Sequence, residues 1–272
     1  MLNKVLYALI LFVFILFSPA YSFEHKDNPL FSVSENTPGI YVVEIDNLPG
    51  KHYLIPYVSD TRDTNKAVFD RTSAKLCINA GFFDFKNDKS VSYVTIYGEK
   101  VADPTENENL MNNPVLMPYL DKILNRSEFR IYETPEKNIV YDISPHDSPS
   151  PAGWRLKHSI QAGPMLLPEL RLEEEFFVLK KDGKILNESA ASLIKRERTA
   201  VGIKDNKVYF FVVTKSAAMS LPELAKFMKD AGMEKAMGFD GGGSTSLDTK
   251  DLHVVSENAD KGRRVKSFIL LF

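Results

Sequence analysis

An aspartate followed by three glycines and a run of hydroxyl residues is the stretch of this chain best equipped for chemistry. Residues 236–247 read AMGFDGGGSTSL. Asp240 brings a carboxylate to the end of a short apolar run. Gly241, Gly242 and Gly243 leave backbone N–H groups unobstructed, and such a nest can hold an anion. Ser244 and Thr245 add hydroxyl donors. A two-residue turn needs at most two glycines, so a third points to close approach by a ligand or another backbone. Three other stretches carry complementary groups. INAGFFDF (78–85) sets Asn79 at a strand end beside Gly81, with Phe82 and Phe83 able to wall a sugar face. SIQAGPMLL (159–167) offers the amide of Gln161 ahead of a Gly163-Pro164 turn. KRERTAVGI (195–203) puts Arg198 and Thr199 at the entrance of a strand, with Arg196 on the same face by two-residue alternation. Arginine grips phosphate through a charged, bidentate fork.

Other chemistries lack their residues. There is no HExxH, the five histidines show no ligand spacing, and the single cysteine rules out a thiolate zinc site. The glycine run lacks the lysine of a P-loop, and Ser246 stands where G-x-S-x-G requires glycine. Cys77, inside an apolar run, reads as a small buried hydrophobe. A divalent cation such as calcium is the one cofactor that the carboxylates and hydroxyls of 240–248 could take, though no ligand loop of recognised spacing is present.

These groups need elements to position them. IYVVEI (40–45), 53–57, 76–79, 93–97 and 267–272 read as strands. Asp182-Gly183 and Asp205-Asn206 mark hairpin turns, and Gly98-Glu99 a third. SLPELAKFMKDAG carries a Ser220–Glu223 capping box, a tolerated Pro222 and a terminating Gly232. Leu221, Leu224, Met228 and Ala231 recur at helical spacing, so this helix packs one face on a core. Residues 103–118 read as a long surface loop, and 133–138 and 143–152 as polar breaks within one domain. The sum is a single α+β domain on a mixed, mostly antiparallel sheet with few helices.

The N-terminus has the layout of a secretory signal peptide: Lys4, an apolar stretch from Val5 to Phe17, and small residues before a cleavage point near Ser22. Thirteen apolar residues are too few for a membrane span. The expected mature domain, 23–272, would be secreted or periplasmic with no stable membrane span. Without Lys4 the count is 33 basic against 36 acidic residues, which does not suit a nucleic-acid partner.

Taken together, the four stretches resemble the phosphodiester glycosidase family. Asn79-Ala80-Gly81-Phe82-Phe83, Gln161 to Leu166, Arg198 to Gly202 and Asp240 to Thr245 follow the family's segments in order, with a helix before the last. Arg263-Arg264-Val265 also looks like a family feature. The resemblance spans about 70–272, departs at Ala80 where glycine is common, and leaves 104–157 unmatched. It implies hydrolysis of a sugar-1-phosphodiester at the C1–O bond. On that reading Arg198, the glycine-run amides, Ser244 and Thr245 hold the phosphate, and Asn79 orients sugar or water. Asp240 is base, nucleophile or sugar-hydroxyl clamp. A non-catalytic module binding a phosphorylated glycan, and a phosphoesterase cutting P–O, are the alternatives.

Overall fold

A computed structural model describes residues 30–46, 54–256 and 261–272. The expected signal peptide lies outside the described residues. Within them the protein is an α+β domain of three multi-stranded sheets, and every ladder between its strands is antiparallel.

The first sheet has six strands in the order Phe31–Thr37, Ile40–Ile45, Lys207–Val213, Arg198–Lys204, Lys235–Gly238 and Met165–Leu167. Its middle strands are covered on both faces, which is why KVYFFVV is almost continuously apolar. Val208, Phe210 and Val212 join the main core, while Phe211 and Val213 meet the helix Leu221–Asp230. Both halves of the Ser220–Glu223 capping box are formed, and Gly232 ends the helix with φ +84°.

A second sheet runs His253–Val255, Ser246–Thr249, Leu76–Asn79, Val265–Leu271 and Leu54–Asp63. The short helix Asn65–Arg71 packs Val68 with Cys77 and Phe268 on one face of it. The third sheet is Glu99–Ala102, Val94–Ile96, Arg155–Gln161, Ser127–Glu133 and Ile139–Pro145. One contiguous core takes Val201 from the first sheet, Ile78 and Ile269 from the second, and Phe129 and Ile160 from the third.

Several local expectations change. Residues 103–118 are not one irregular loop: they contain Pro104–Glu106, Glu108–Met111 and the start of Met117–Tyr119, all helical turns. Their Asp and Asn residues act as caps, Asp103 accepting from Thr105 N and Asn107 from Asn109 N and Leu110 N. The polar break at 133–138 is the tip of the hairpin joining two strands of the third sheet. The turn expected at Gly98-Glu99 falls one residue earlier, with Tyr97 (φ +53°) and Gly98 (φ +84°) at its centre. Asp182-Gly183 and Asp205-Asn206 are left-handed pairs, as expected.

Candidate active site

Where the first and second sheets meet, three of the four sequence segments converge. Asn79 ends its strand fully buried. Its Nδ2 donates to the Asp240 carbonyl (2.6 Å), and its Oδ1 accepts from Thr199 Oγ1 (2.8 Å) and Ser246 N (3.0 Å). Asp240 N donates to Ala80 O (2.7 Å) and Phe239 N to Thr199 O (2.8 Å). Asn79 and Thr199 are thus a buried clasp that fixes the backbone of Asp240, not groups facing the solvent. Ala80 is also buried, its methyl in the core. Gly81 is required by packing, because a Cβ there would lie 2.8 Å from Ser92 Oγ.

Asp240 itself is half-buried in a cleft of about 410 Å³. Gly241, Gly242, Gly243, Arg196, Glu197, Arg263 and the turn Ala190-Ala191 share its lining. Burial pushes the Asp240 pKa up to about 6, against the opposing pull of Ser244, Arg263 and the Gly241 N–H. Ser244 exerts that pull without reaching hydrogen-bond geometry, since its Oγ makes no hydrogen bond. A carboxyl that titrates near neutrality in a cleft is suited to general acid–base or nucleophilic work.

The glycine run is less open than its sequence suggests. Gly242 N donates to Glu197 O (2.8 Å), Ser244 N to Gly241 O (3.2 Å) and Thr245 N to Gly242 O (3.1 Å). The segment Gly242–Ser244 is a 3-10 turn, which leaves the Gly241 and Gly243 N–H groups without a backbone acceptor among the described residues. The glycines have separate reasons. A Cβ on Gly241 would lie 2.9 Å from the Glu197 carbonyl oxygen, and Gly242 holds φ +58°. The Ser244 and Thr245 hydroxyls are buried, each 1% exposed.

Arg198 is not the cation of the cleft. Its Nε donates to Met219 O (2.8 Å), Nη1 to Ala190 O (3.1 Å), and Nη2 to Ala191 O (2.6 Å) and Ile194 O (2.8 Å). Burial and the repulsion of Arg196 lower its pKa to about 10, so it stays charged at neutral pH. The alternation that placed Arg196 and Arg198 on one face fails because the strand begins only at Arg198. Arg196, exposed, is one of the two arginines that line the cleft, with Arg263. Arg263 also packs its Cζ 5.4 Å from the Phe85 ring centroid. The sequence pattern placed Arg263 among the family features but could not show that it meets Asp240.

The remaining candidates lie elsewhere. Gln161 is buried, its Nε2 donating to Leu124 O (2.7 Å) and Arg126 O (3.2 Å). Gly163 (φ +100°) donates its N–H to Gly238 O (3.0 Å), and Gly238 N returns a bond to Pro164 O (2.9 Å). That exchange secures the strand leading to Asp240. The carboxylates offered for a hard cation do not converge either. Asp248 is fully buried and engaged by Asn65 Nδ2 (2.7 Å) and His253, and the described residues hold no cluster of three metal-ligating side chains.

Removal of Arg196 tests the cleft's cations cheaply, because this side chain is exposed. Arg196→Ala is expected to weaken binding of inorganic phosphate by about tenfold at low salt, with the difference shrinking as ionic strength rises. Calorimetry at two salt concentrations reads this, and Tm should not move by more than about 1 °C.

A carboxylic acid tuned near neutrality, two arginines and a glycine turn at the junction of antiparallel sheets define an anion-handling site on an α+β scaffold. The model of the phosphodiester glycosidase family matches residues 72–272 of this sequence, and the chain belongs to that family. The catalytic domain of zebrafish N-acetylglucosamine-1-phosphodiester alpha-N-acetylglucosaminidase, solved auto-inhibited by its pro-peptide, superposes with a TM-score of 0.63 at 16% identity, covering 91% of this chain and 85% of that one. A Burkholderia pseudomallei protein whose name marks it as exported gives a TM-score of 0.63 at 13% identity (89% and 74% covered). A hypothetical protein from Synechocystis gives 0.58 at 15% (90% and 61%). At these identities the structural likenesses establish the fold alone. No curated protein sequence matches the chain.

Proposed function

We propose that this protein is an exported hydrolase that cleaves the C1–O bond of a sugar-1-phosphodiester in an exopolysaccharide or cell-envelope glycan. Water adds to C1, the sugar is released, and the phosphate leaves as a monoester on the other partner. The observation that carries this reading is Asp240: a carboxyl with pKa about 6, in an arginine-lined cleft of a phosphodiester glycosidase-family chain. A phosphate monoester is a good leaving group, so strong general-acid help is not required. Asp240 then acts in its ionised form, as base toward water or as nucleophile at C1. Arg196 and Arg263 offset charge on the departing phosphate. Export rests on the N-terminal pattern Lys4 to Ser22, and N-terminal sequencing of the protein from fractionated cells would check it. Among the described residues no helix is long and apolar enough to cross a membrane.

The test is incubation with a panel of sugar-1-phosphodiesters in ¹⁸O-labelled water, with and without chelator. Label in the free sugar is the expected result. Label in the phosphate instead means P–O cleavage, and saturable binding without turnover means a glycan-binding module; either replaces this reading.

A further inference from the structure

Three arginines of the described core are buried below a tenth of their surface: Arg126, Arg130 and Arg198. Two of them are matched. Arg198 is held by four carbonyls. Arg130 pairs with Glu128 and donates to Tyr132 Oη and the carbonyls of Pro145, His146 and Ser148. Arg126 is different. Its Nε donates to Glu175 O (3.0 Å), but among the described residues neither Nη meets an acceptor. Both Nη groups keep contact with solvent although the residue is only 8% exposed.

Its surroundings form a holder rather than a gap. The Arg126 Cζ lies 4.1 Å from the Phe177 ring centroid and 5.7 Å from that of Phe82. The two rings are themselves 5.8 Å apart. Aromatic faces fix the plane of a guanidinium while leaving its N–H edge to a planar acceptor. The neighbouring Glu175 carboxylate is engaged elsewhere, accepting from Ser127 Oγ (2.6 Å), Ser127 N (3.1 Å) and Met165 N (3.0 Å). Burial lowers the Arg126 pKa only to about 10, so the charge persists at neutral pH. The Glu175 carboxylate offsets part of the cost of burying this charge, and the Nη edge remains open to an anionic acceptor that can replace water there.

This holder is coupled to the cleft through its own chain. Phe82 lies two residues after Ala80, whose carbonyl receives Asp240 N, and Phe177 O accepts from Ser189 N (2.8 Å), next to the Ala190-Ala191 wall. Yet Arg126 is not among the residues that line the Asp240 cleft, where the arginines are Arg196 and Arg263. Whatever Arg126 holds is therefore not at the reacting atoms.

We propose that Arg126, clasped by Phe82 and Phe177, is a subsite for a carboxylate or phosphate group that the substrate carries away from its scissile bond. The inference rests on the reading of this protein as a glycosidase of sugar-1-phosphodiesters. It narrows the substrate class to diesters with a second anionic group.

The deciding experiment uses two matched substrates, a sugar-1-phosphoglycerol and the corresponding sugar-1-phosphoglycerate, which differ by one carboxylate. Wild type is expected to favour the glycerate by about tenfold or more in kcat/KM, the scale of a charge-assisted pair. Arg126→Gln should bring that ratio close to one. Arg126→Lys, which keeps the charge without the fork, should fall between, and it decides the matter if the glutamine variant does not fold. Equal rates in wild type, or a preference that survives in Arg126→Gln, overturns the subsite. Calorimetry with glycerate and with inorganic phosphate separates this from the parent reading. Hydrolysis of neither diester with Arg126-dependent glycerate binding sinks the reaction and keeps the subsite. Equal hydrolysis of both with Arg126-dependent binding of phosphate alone makes the site one for a free ion, and the substrate subsite fails.

Discussion

Asp240→Asn is expected to lower kcat/KM on a sugar-1-phosphodiester by at least about a thousandfold, while making the folded protein more stable near neutral pH. Both effects follow from one property. Burial raises the carboxyl to about 6 from the usual carboxylate range, so the folded state prefers the neutral form. Between roughly pH 4 and pH 6 the folded protein binds more protons at this site than the unfolded chain does. Stability from this group is therefore highest in acid and falls as pH rises through 6, leaving an ionised, poorly solvated carboxylate at neutrality. Its half-buried position in a water-accessible cleft reduces the penalty to about 1–3 kcal/mol. Asparagine removes that penalty, so Asp240→Asn should raise Tm by several degrees at pH 7.5, and by much less at pH 4. The rate has the opposite sign. If ionised Asp240 is base or nucleophile, kcat/KM of the wild type rises through an apparent pKa near 6 and levels off above it. A profile that falls through that pKa would make Asp240 the general acid. Full turnover in Asp240→Asn would remove it from the chemistry altogether.

Much of this scaffold was legible because local rules and tertiary packing agree in it. The SLPELAKFMKDAG stretch has its cap, apolar face and terminating glycine in sequence, and the helix forms with each in that role. The Asp182-Gly183 and Asp205-Asn206 turns were readable for the same reason: they need left-handed backbone, which few residues supply. In the third sheet 127–133 was hard to see, because its charged residues Glu128 and Arg130 alternate with the core residues Phe129 and Ile131 and are buried nonetheless. Glu128 and Arg130 are buried there against each other, and pairing of that kind is invisible to a hydropathy pattern. At the site, Asp240 stands in the cleft that its sequence context suggested, whereas the work of its companions differs from what their types suggest. Asn79, Thr199 and Arg198 look like ligand-binding groups but are turned inward by partners more than 20 residues away or by backbone carbonyls. Composition shows which donors exist; only the fold shows which donors are already engaged.

The sharpest consequence concerns Arg198, the residue that an arginine–phosphate argument places on the substrate. Its guanidinium instead holds four carbonyls, two of them on Ala190 and Ala191, which stand consecutively at φ +54° and +48°. Two adjacent non-glycine residues in the left-handed region are unfavourable and persist only when the surroundings hold them. Those alanines line the cleft together with the glycine turn. Arg198→Ala is thus expected to leave four carbonyls unmatched and release the strained turn, destabilising the protein by roughly 3–5 kcal/mol. For a domain of this size that lowers Tm by on the order of 10 °C, readable by calorimetry or circular dichroism. Activity should fall as well, but through disorder of the wall, so that kcat and KM both suffer and a simple phosphate ion loses little affinity relative to the folded fraction. Arg196→Ala is expected to do the reverse, weakening phosphate with no loss of Tm. Should Arg198→Ala retain the wild-type Tm while phosphate affinity drops a hundredfold, the guanidinium contacts substrate after all. The pair of variants therefore separates holding the site together from holding the ligand, a distinction that two arginines two positions apart in sequence do not disclose.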